Sequence, residues 1–290
     1  MSMRQRQQYR PPPTTLGEGR FELVRAIGSG GMAAVYKVLD HENETFRAVK
    51  VLNEVGAART KTRTRFLTEA RTMSRLNHRN ILKIYEIGEE DGWYYFVMEL
   101  AESGSLAARM RRLGTFDLHR SLVYTFEALC GLQHAHSHEV IHRDIKPHNI
   151  LLSSEDQVKL SDFGIARVLS DAGMRITGTG DMLGSIAYMA PEQRMDPRAV
   201  GPQADIYGIG ATLYIMVTGR RPIDLALSKI DPSVLERVPN EIRGILRKAI
   251  AHRPEDRFHS ARAMAQQIAG VLESLDSCSA EDRMDAFDAS

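Results

Sequence analysis

The sequence predicts an α+β chain in two parts: a small antiparallel sheet with one key helix, then a larger and mainly helical part. Three observations lead there. Apolar residues alternate in strand fashion from Phe21 to Val51 and again through Trp93–Leu100. A single stretch at helical spacing, with Phe66, Ala70 and Met73 on one face and Arg and Lys on the other, interrupts them. From Ser105 onward helical periodicity dominates, as in LVYTFEALCGLQHAHS and EIRGILRKAIAH, with short strand-like pieces only at NILL and VKL.

The elements follow in order. Residues 1–19, rich in Arg, Gln and Pro, supply no core and read as a flexible tail. Residues 20–101 form the sheet part: FELVRAI, a Gly-rich turn, AAVYKVLD, a polar turn, TFRAVKVL, the helix, and two further strands around the turn at Glu90 to Gly92, about five strands in all. Residues 102–275 form the helical part, and 276–290, polar and acidic, read as a second flexible tail.

Composition excludes several classes. The 290 residues carry 38 Lys+Arg against 37 Asp+Glu, a formal net charge of +1, which leaves no basic surplus for a nucleic-acid binder that works on phosphates. With 43% hydrophobic residues the chain is not a disordered one. Cys130 and Cys278 lie far apart and form neither a CxxC pair nor a disulfide framework, so a reducing compartment, the cytoplasm, is expected. The longest apolar stretch, Ile206 to Val217, is bounded by Asp205 and Arg220 and falls short of the ~20 residues a bilayer needs. It reads as a helix buried on all sides, and no membrane span is expected. The basic N-terminus has no apolar segment behind it, so no secretory signal is expected.

The chemistry-bearing residues come in sets. Gly28-Ser29-Gly30-Gly31-Met32-Ala33 is a Gly-rich loop whose backbone N–H groups can approach phosphates. A dinucleotide-binding loop would open a helix; here the strand AAVYKV follows, as in a flap over a nucleotide's phosphates. Lys50 lies one strand downstream. Glu69 shares the inward face of the helix with Phe66 and Met73, so it needs a partner, and Lys50 is the natural one. His142-Arg143-Asp144-Ile145-Lys146-Pro147-His148-Asn149, Asp162-Phe163-Gly164 and Ala190-Pro191-Glu192 then follow in order. His134, His136 and His138 alternate, but i and i+2 do not face one another on a helix, so they read as ordinary helix-end histidines rather than metal ligands.

On these motifs the chain resembles the protein-kinase family, in particular the eukaryotic-like Ser/Thr kinases of bacteria, from Arg20 to about Leu275. The resemblance implies a two-lobed kinase fold, with the sheet part as N-lobe and the helical part as C-lobe, and an ATP- and Mg²⁺-dependent transfer of the γ-phosphate to Ser/Thr hydroxyls of protein substrates. It implies Asp144 as the acceptor of the hydroxyl proton, with Lys146 neutralising the transferring group. Lys50, held by Glu69, would meet the α- and β-phosphates, and Asn149 and Asp162 would hold Mg²⁺. Ile27, Val35, Ala48 and Leu151 would sandwich the adenine, with Met98 behind it and Glu99 and Ala101 offering backbone groups. Glu192 and Arg257 would form a buried pair, Asp205 would hold the catalytic loop's backbone, and Met73, Ile84, His142 and Phe163 would stack as an internal column.

This sequence departs from the pattern at Ala33, in place of the third glycine, at Ser185, in place of a threonine, and at Arg79, in place of a proline. Lys50, Glu69, Asp144, Asn149 and Asp162 are all intact, which argues against a nucleotide-binding scaffold, and Ala190-Pro191-Glu192 with a long preceding segment argues against a small-molecule kinase. Thr177-Gly178-Thr179, in the middle of that segment, resembles the paired-threonine site of bacterial receptor kinases. Arg143 would present a guanidinium to the segment, where a phosphothreonine can pair with it, so activating autophosphorylation at Thr177, Thr179 or both is expected, in trans within a homodimer.

Overall fold

The computed structural model describes residues 12–164, 186–196, 200–222, 225, 232–275 and 280–288. The chain divides into two compact units. The first comprises the chain up to Arg75 together with Lys83–Leu100, and the second Leu76–Leu82 together with everything from Ala101.

The first unit is an antiparallel sheet of six strands: β1 (Thr15–Leu16), β2 (Phe21–Ser29), β3 (Ala33–Asp40), β4 (Thr45–Leu52), β5 (Ile84–Glu90) and β6 (Trp93–Met98). Their order is β1-β2-β3-β4-β6-β5. The β5–β6 turn is made by Asp91 and Gly92, both at positive φ (50° and 80°), the conformation that a two-residue hairpin loop demands. Alternation along β4 sends Val49 and Val51 into a cluster with Leu16, Phe21, Val38, Trp93, Tyr95 and Val97. Ala48 and Lys50 therefore face the opposite side of the sheet. Helix α2 (Thr60–Met73), preceded by the short α1 (Glu54–Ala57), packs through Phe66 on Phe96, ring centres 5.0 Å apart, and Phe96 is the cross-strand partner of Lys50. The helix and the lysine thus share one face.

The second unit is mainly helical: α3 (Leu106–Leu113), α4 (Leu118–Ser137), α5 (Pro191–Met195), α6 (Gln203–Thr218), α7 (Asn240–Ala249), α8 (Ala261–Leu275) and α9 (Ala280–Asp288), with the two-stranded β7 (Ile150–Leu152) and β8 (Val158–Leu160). Ser105 and Asp117 cap α3 and α4, accepting from the N–H groups of Ala108 and Arg120. Helix α6 is buried on nearly every side, as its unbroken apolar run requires. Gly208 within it leaves room for the loop before β7: a Cβ there would stand 2.8 Å from the Ile145 Cβ and 3.0 Å from its carbonyl oxygen.

Three expectations need correction. The tail expected over 1–19 is structured from its described end: β1 pairs Thr15 with Glu22 and Leu16 with Phe21, and Leu16 is fully buried, a single apolar residue that no periodicity could reveal. The tail expected over 276–290 carries α9, whose Phe287 is buried edge-on to Phe126 at 5.7 Å and whose Asp288 pairs with Arg262 on α8. The part expected over 20–101 loses Leu76–Leu82 to the second unit, because the Asn80 carbonyl accepts from Leu160 N–H (2.8 Å) and its side-chain amide donates to the Val158 carbonyl (3.0 Å), both on β8.

Because Leu16 joins a core cluster, Leu16→Ala is expected to cost about 2–5 kcal/mol in urea unfolding. A change within error would return the segment to a loose tail.

Candidate active site

In the first unit the Lys50 Nζ lies 3.0 Å from Glu69 Oε1, with the two side chains only 17% and 13% exposed. Strand register sets the lysine: Lys50 stands opposite Val35 on β3 and Phe96 on β6. Helical spacing sets the glutamate, three residues after Phe66 and four before Met73, both buried. The expected pair is present.

The Gly-rich turn closes between Ser29 and Ala33, with Gly30 N–H donating to the Ala33 carbonyl (2.9 Å) and the Asn53 amide to the Gly31 carbonyl (3.2 Å). An added Cβ at Gly31 would meet nothing, so the fold itself does not require this glycine; close approach of a ligand would. Gly28 stands opposite Val35 and Ser29 opposite Ala34. Ile27 is exposed, Val35 half-buried, and Ala48 and Met98 buried. The Glu99 N–H is taken by the Lys83 carbonyl (2.9 Å), which narrows any ligand contact of its backbone to the carbonyl.

In the second unit the Ala101 carbonyl accepts from Gly104 N–H (3.2 Å), which leaves Ala101's own N–H as the group it can offer. Leu151 lies on β7, opposite Lys159. Asp144 is bracketed by two donors: Lys146 Nζ lies 2.9 Å from its Oδ2, and the Asn149 amide donates to the same oxygen (3.0 Å) and to the Asp144 carbonyl (2.8 Å). With its NH₂ so placed, Asn149 keeps its side-chain oxygen as a donor for a cation. Ser161 stitches this residue to the next motif, bonding the Asn149 carbonyl through both N–H (2.9 Å) and Oγ (3.2 Å) and touching Asp162 Oδ2 (3.3 Å). Two hard oxygen donors suit Mg²⁺, which keeps several waters and takes the rest of its shell from phosphates. The described residues hold no group of three or more His, Cys, Asp or Glu that could bind a metal by itself.

The loop carrying Asp144 is fixed from behind. Asp205, on α6, accepts from the N–H groups of His142 (2.8 Å) and Arg143 (2.7 Å) and pairs with His136 Nε2 (2.8 Å). Burial alone would raise this carboxyl; the His136 hydrogen bond and the neighbouring histidines carry it below its ordinary value. Burial also lowers His142, whose ring stacks on Phe163 at 4.4 Å. Its Nε2 lies 2.9 Å from the Ser161 carbonyl and must carry the proton, so Nδ1 is the acceptor facing Asp144 N–H at 3.3 Å.

The pair expected between Glu192 and Arg257 is bidentate, both contacts 2.7 Å, with the guanidinium fully buried and further donating to the carbonyls of Ala251, Gln203 and His252. Of the expected column, Met73 and Ile84 are buried in the first unit and His142 and Phe163 stack in the second. Thr177, Thr179 and Ser185 lie outside the described residues. His136, at the end of α4, is the buried partner of Asp205, a role that no spacing rule reveals because the two positions lie 69 residues apart.

Comparison with known proteins gives one consistent result. The family described as "Protein kinase domain" matches residues 21–284. The chain is 37% identical over 262 residues to the serine/threonine-protein kinase PrkC of Bacillus subtilis, covering 86% of this chain and 40% of that protein. It is 34% identical over 277 residues to the serine/threonine-protein kinase PknL of Mycobacterium tuberculosis, covering 91% of this chain and 69% of that protein. Among solved structures, a double mutant of the Mycobacterium tuberculosis PknI kinase domain superposes with a TM-score of 0.68 at 26% identity, covering 90% of this chain and 99% of that one.

Proposed function

The chain belongs to the protein kinase family, and we propose that it acts as an ATP-dependent protein serine/threonine kinase through Asp144, Lys146, Asn149, Asp162, Lys50 and Glu69. The observation that carries the residue assignment is the Asp144 carboxylate with the Lys146 ammonium 2.9 Å from one of its oxygens and the Asn149 amide 3.0 Å from the same atom.

A hydroxyl needs a carboxylate to take its proton and aim it, while the phosphoryl group needs cations around it. Asp144 supplies the first. The substrate oxygen attacks the γ-phosphorus, its proton passes to the carboxylate, and the bond to the β-phosphate oxygen breaks with ADP as leaving group. Lys146, 2.9 Å from the carboxylate, offers its charge to the transferring oxygens. Lys50, steadied by Glu69, meets the α- and β-phosphates, and the N–H groups of 28–31 cover them. Ile27, Val35, Ala48, Met98 and Leu151 give the adenine apolar contacts, with the Glu99 carbonyl and the Ala101 N–H for its edge. Mg²⁺, when bound, neutralises phosphate charge; Asn149 and Asp162 are the residues that would hold it. A cytoplasmic location is supported by Cys130 and Cys278, which form neither a CxxC pair nor a disulfide framework. No helix among the described residues is long and apolar enough to cross a membrane, and the chain spans 40% of the Bacillus relative's length.

Regulation follows from Arg143. Its guanidinium is partly buried and offers planar donors that suit the oxygens of an added anion. A phosphothreonine at 177 or 179 brings roughly −1.5 to −2 charges and three acceptor oxygens. Transfer onto these threonines in trans within a homodimer would switch the domain on.

Two outcomes are expected. Lys50→Met and Asp162→Asn should each abolish transfer from labelled ATP to protein while thermal unfolding stays close to the parent's, since neither residue fills a core; substantial activity in Asp162→Asn would remove the cation assignment. The double variant Thr177→Ala, Thr179→Ala should show a lower initial rate on an added protein substrate, and a rate equal to wild type would end the activation reading.

A further inference from the structure

We propose that Gln193 is a positioning residue for phosphoryl transfer: its side-chain amide clamps the Arg143 carbonyl, in the peptide that leads into Asp144, to the start of α5. The proposal rests on the reading above in one respect, that Asp144 orients the attacking hydroxyl.

Gln193 is 8% exposed and makes two hydrogen bonds of opposite sense. Its Oε1 accepts from the Ala190 N–H (3.1 Å), and its Nε2 donates to the Arg143 carbonyl (3.0 Å). The two partners, an N–H and a C=O, fix which end of the amide is oxygen. Reaching back to the N–H at a helix start is the ordinary duty of a Glu or Gln in the third helical position, and a carboxylate would serve it as well. Donating to Arg143 is beyond a carboxylate. Only an amide presents acceptor and donor from one rigid plane.

The receiving end is unusual. Arg143 has φ of 65°, in the left-handed region where a side chain is strained, and such a residue persists only where its surroundings over-determine it. Asp205 holds its N–H at 2.7 Å, and Gln193 holds its carbonyl. Both backbone groups of the residue before Asp144 are therefore pinned. The Arg143 carbonyl belongs to the same planar peptide as the Asp144 N–H, whose own contact, to His142 Nδ1, is long at 3.3 Å. Fixing that plane sets the direction in which the Asp144 side chain leaves the loop.

The anchoring end is rigid. The neighbouring Glu192 is locked to Arg257, and Arg194 donates to the carbonyls of Ile186 (2.8 Å) and Met189 (3.0 Å). Gln193 thus makes the orientation of Asp144 conditional on the seating of residues 186–196.

Two substitutions separate this role from helix capping and from packing. Gln193→Glu keeps size and the acceptor but sets a charged oxygen against the Arg143 carbonyl in place of the donor; Gln193→Met keeps size, loses both hydrogen bonds and adds no charge. The full chain is assayed with labelled ATP, Mg²⁺ and casein as acceptor. Both variants should lower kcat by about 10- to 100-fold with the ATP KM unchanged, as misplacement of a reacting group does. Gln193→Met should remain folded at the assay temperature by thermal unfolding, and added to Asp144→Asn it should cost no further activity, because the group it aims is already gone. Wild-type kcat in Gln193→Glu, a raised ATP KM at unchanged kcat, or a full additional loss on top of Asp144→Asn would overturn the proposal. So would a loss of activity that tracks a loss of thermal stability. A wild-type chain with no transfer at all, or Asp144→Asn as active as the parent, would instead overturn the kinase reading on which the clamp rests.

Discussion

A carboxylate almost cut off from water organises the catalytic loop. Asp205 is 1% exposed, and an unpaired carboxylate at that depth would cost several kcal/mol. It is tolerated because three donors converge on it: the N–H groups of His142 and Arg143 and the His136 ring. The same bonds hold Arg143 in a left-handed conformation that it would not adopt alone. Everything that faces the chemistry is built outward from there, with Asp144 next in the chain and then Lys146 and Asn149 reaching back to its oxygens. Helix α6 can bring Asp205 to the loop because Gly208, one turn on, has no side chain to push Ile145 away.

The first unit solves a different problem with a different device. Here the sheet fixes Lys50 by register while a helix brings Glu69 to it at 3.0 Å. The face opposite Lys50 buries Val49 and Val51, so alternation along a single strand yields both the core and the functional lysine. A one-residue slip would exchange them.

Much of this was legible in the sequence because the informative signals are local. The strand alternation, the inward Glu69, the buried run at 206–217 and the order of the three motifs each sit within a few residues, and the pairs Lys50–Glu69 and Glu192–Arg257 stand where the kinase resemblance implies. What escaped was contact at long range or by a lone residue. Leu16 is a single leucine that completes a cluster, Phe287 a single phenylalanine that docks a helix, and Asn80 ties its segment to a strand 78 positions away. His136 shows the same limit: its i and i+2 neighbours are visible in the sequence, while its partner Asp205 is not. Thr177 and Thr179, in a stretch that the described residues do not include, remain a reading of sequence and of Arg143.

The most direct measurement of whether Asp205 orders the chemistry is the turnover number of Asp205→Asn, taken together with its affinity for ATP. An amide of the same shape can accept through only one of its two terminal atoms, so one of the two loop N–H groups loses its partner while packing is kept. The account predicts a turnover reduced by about 100-fold or more with ATP affinity retained. Turnover equal to wild type in a folded Asp205→Asn chain would contradict it.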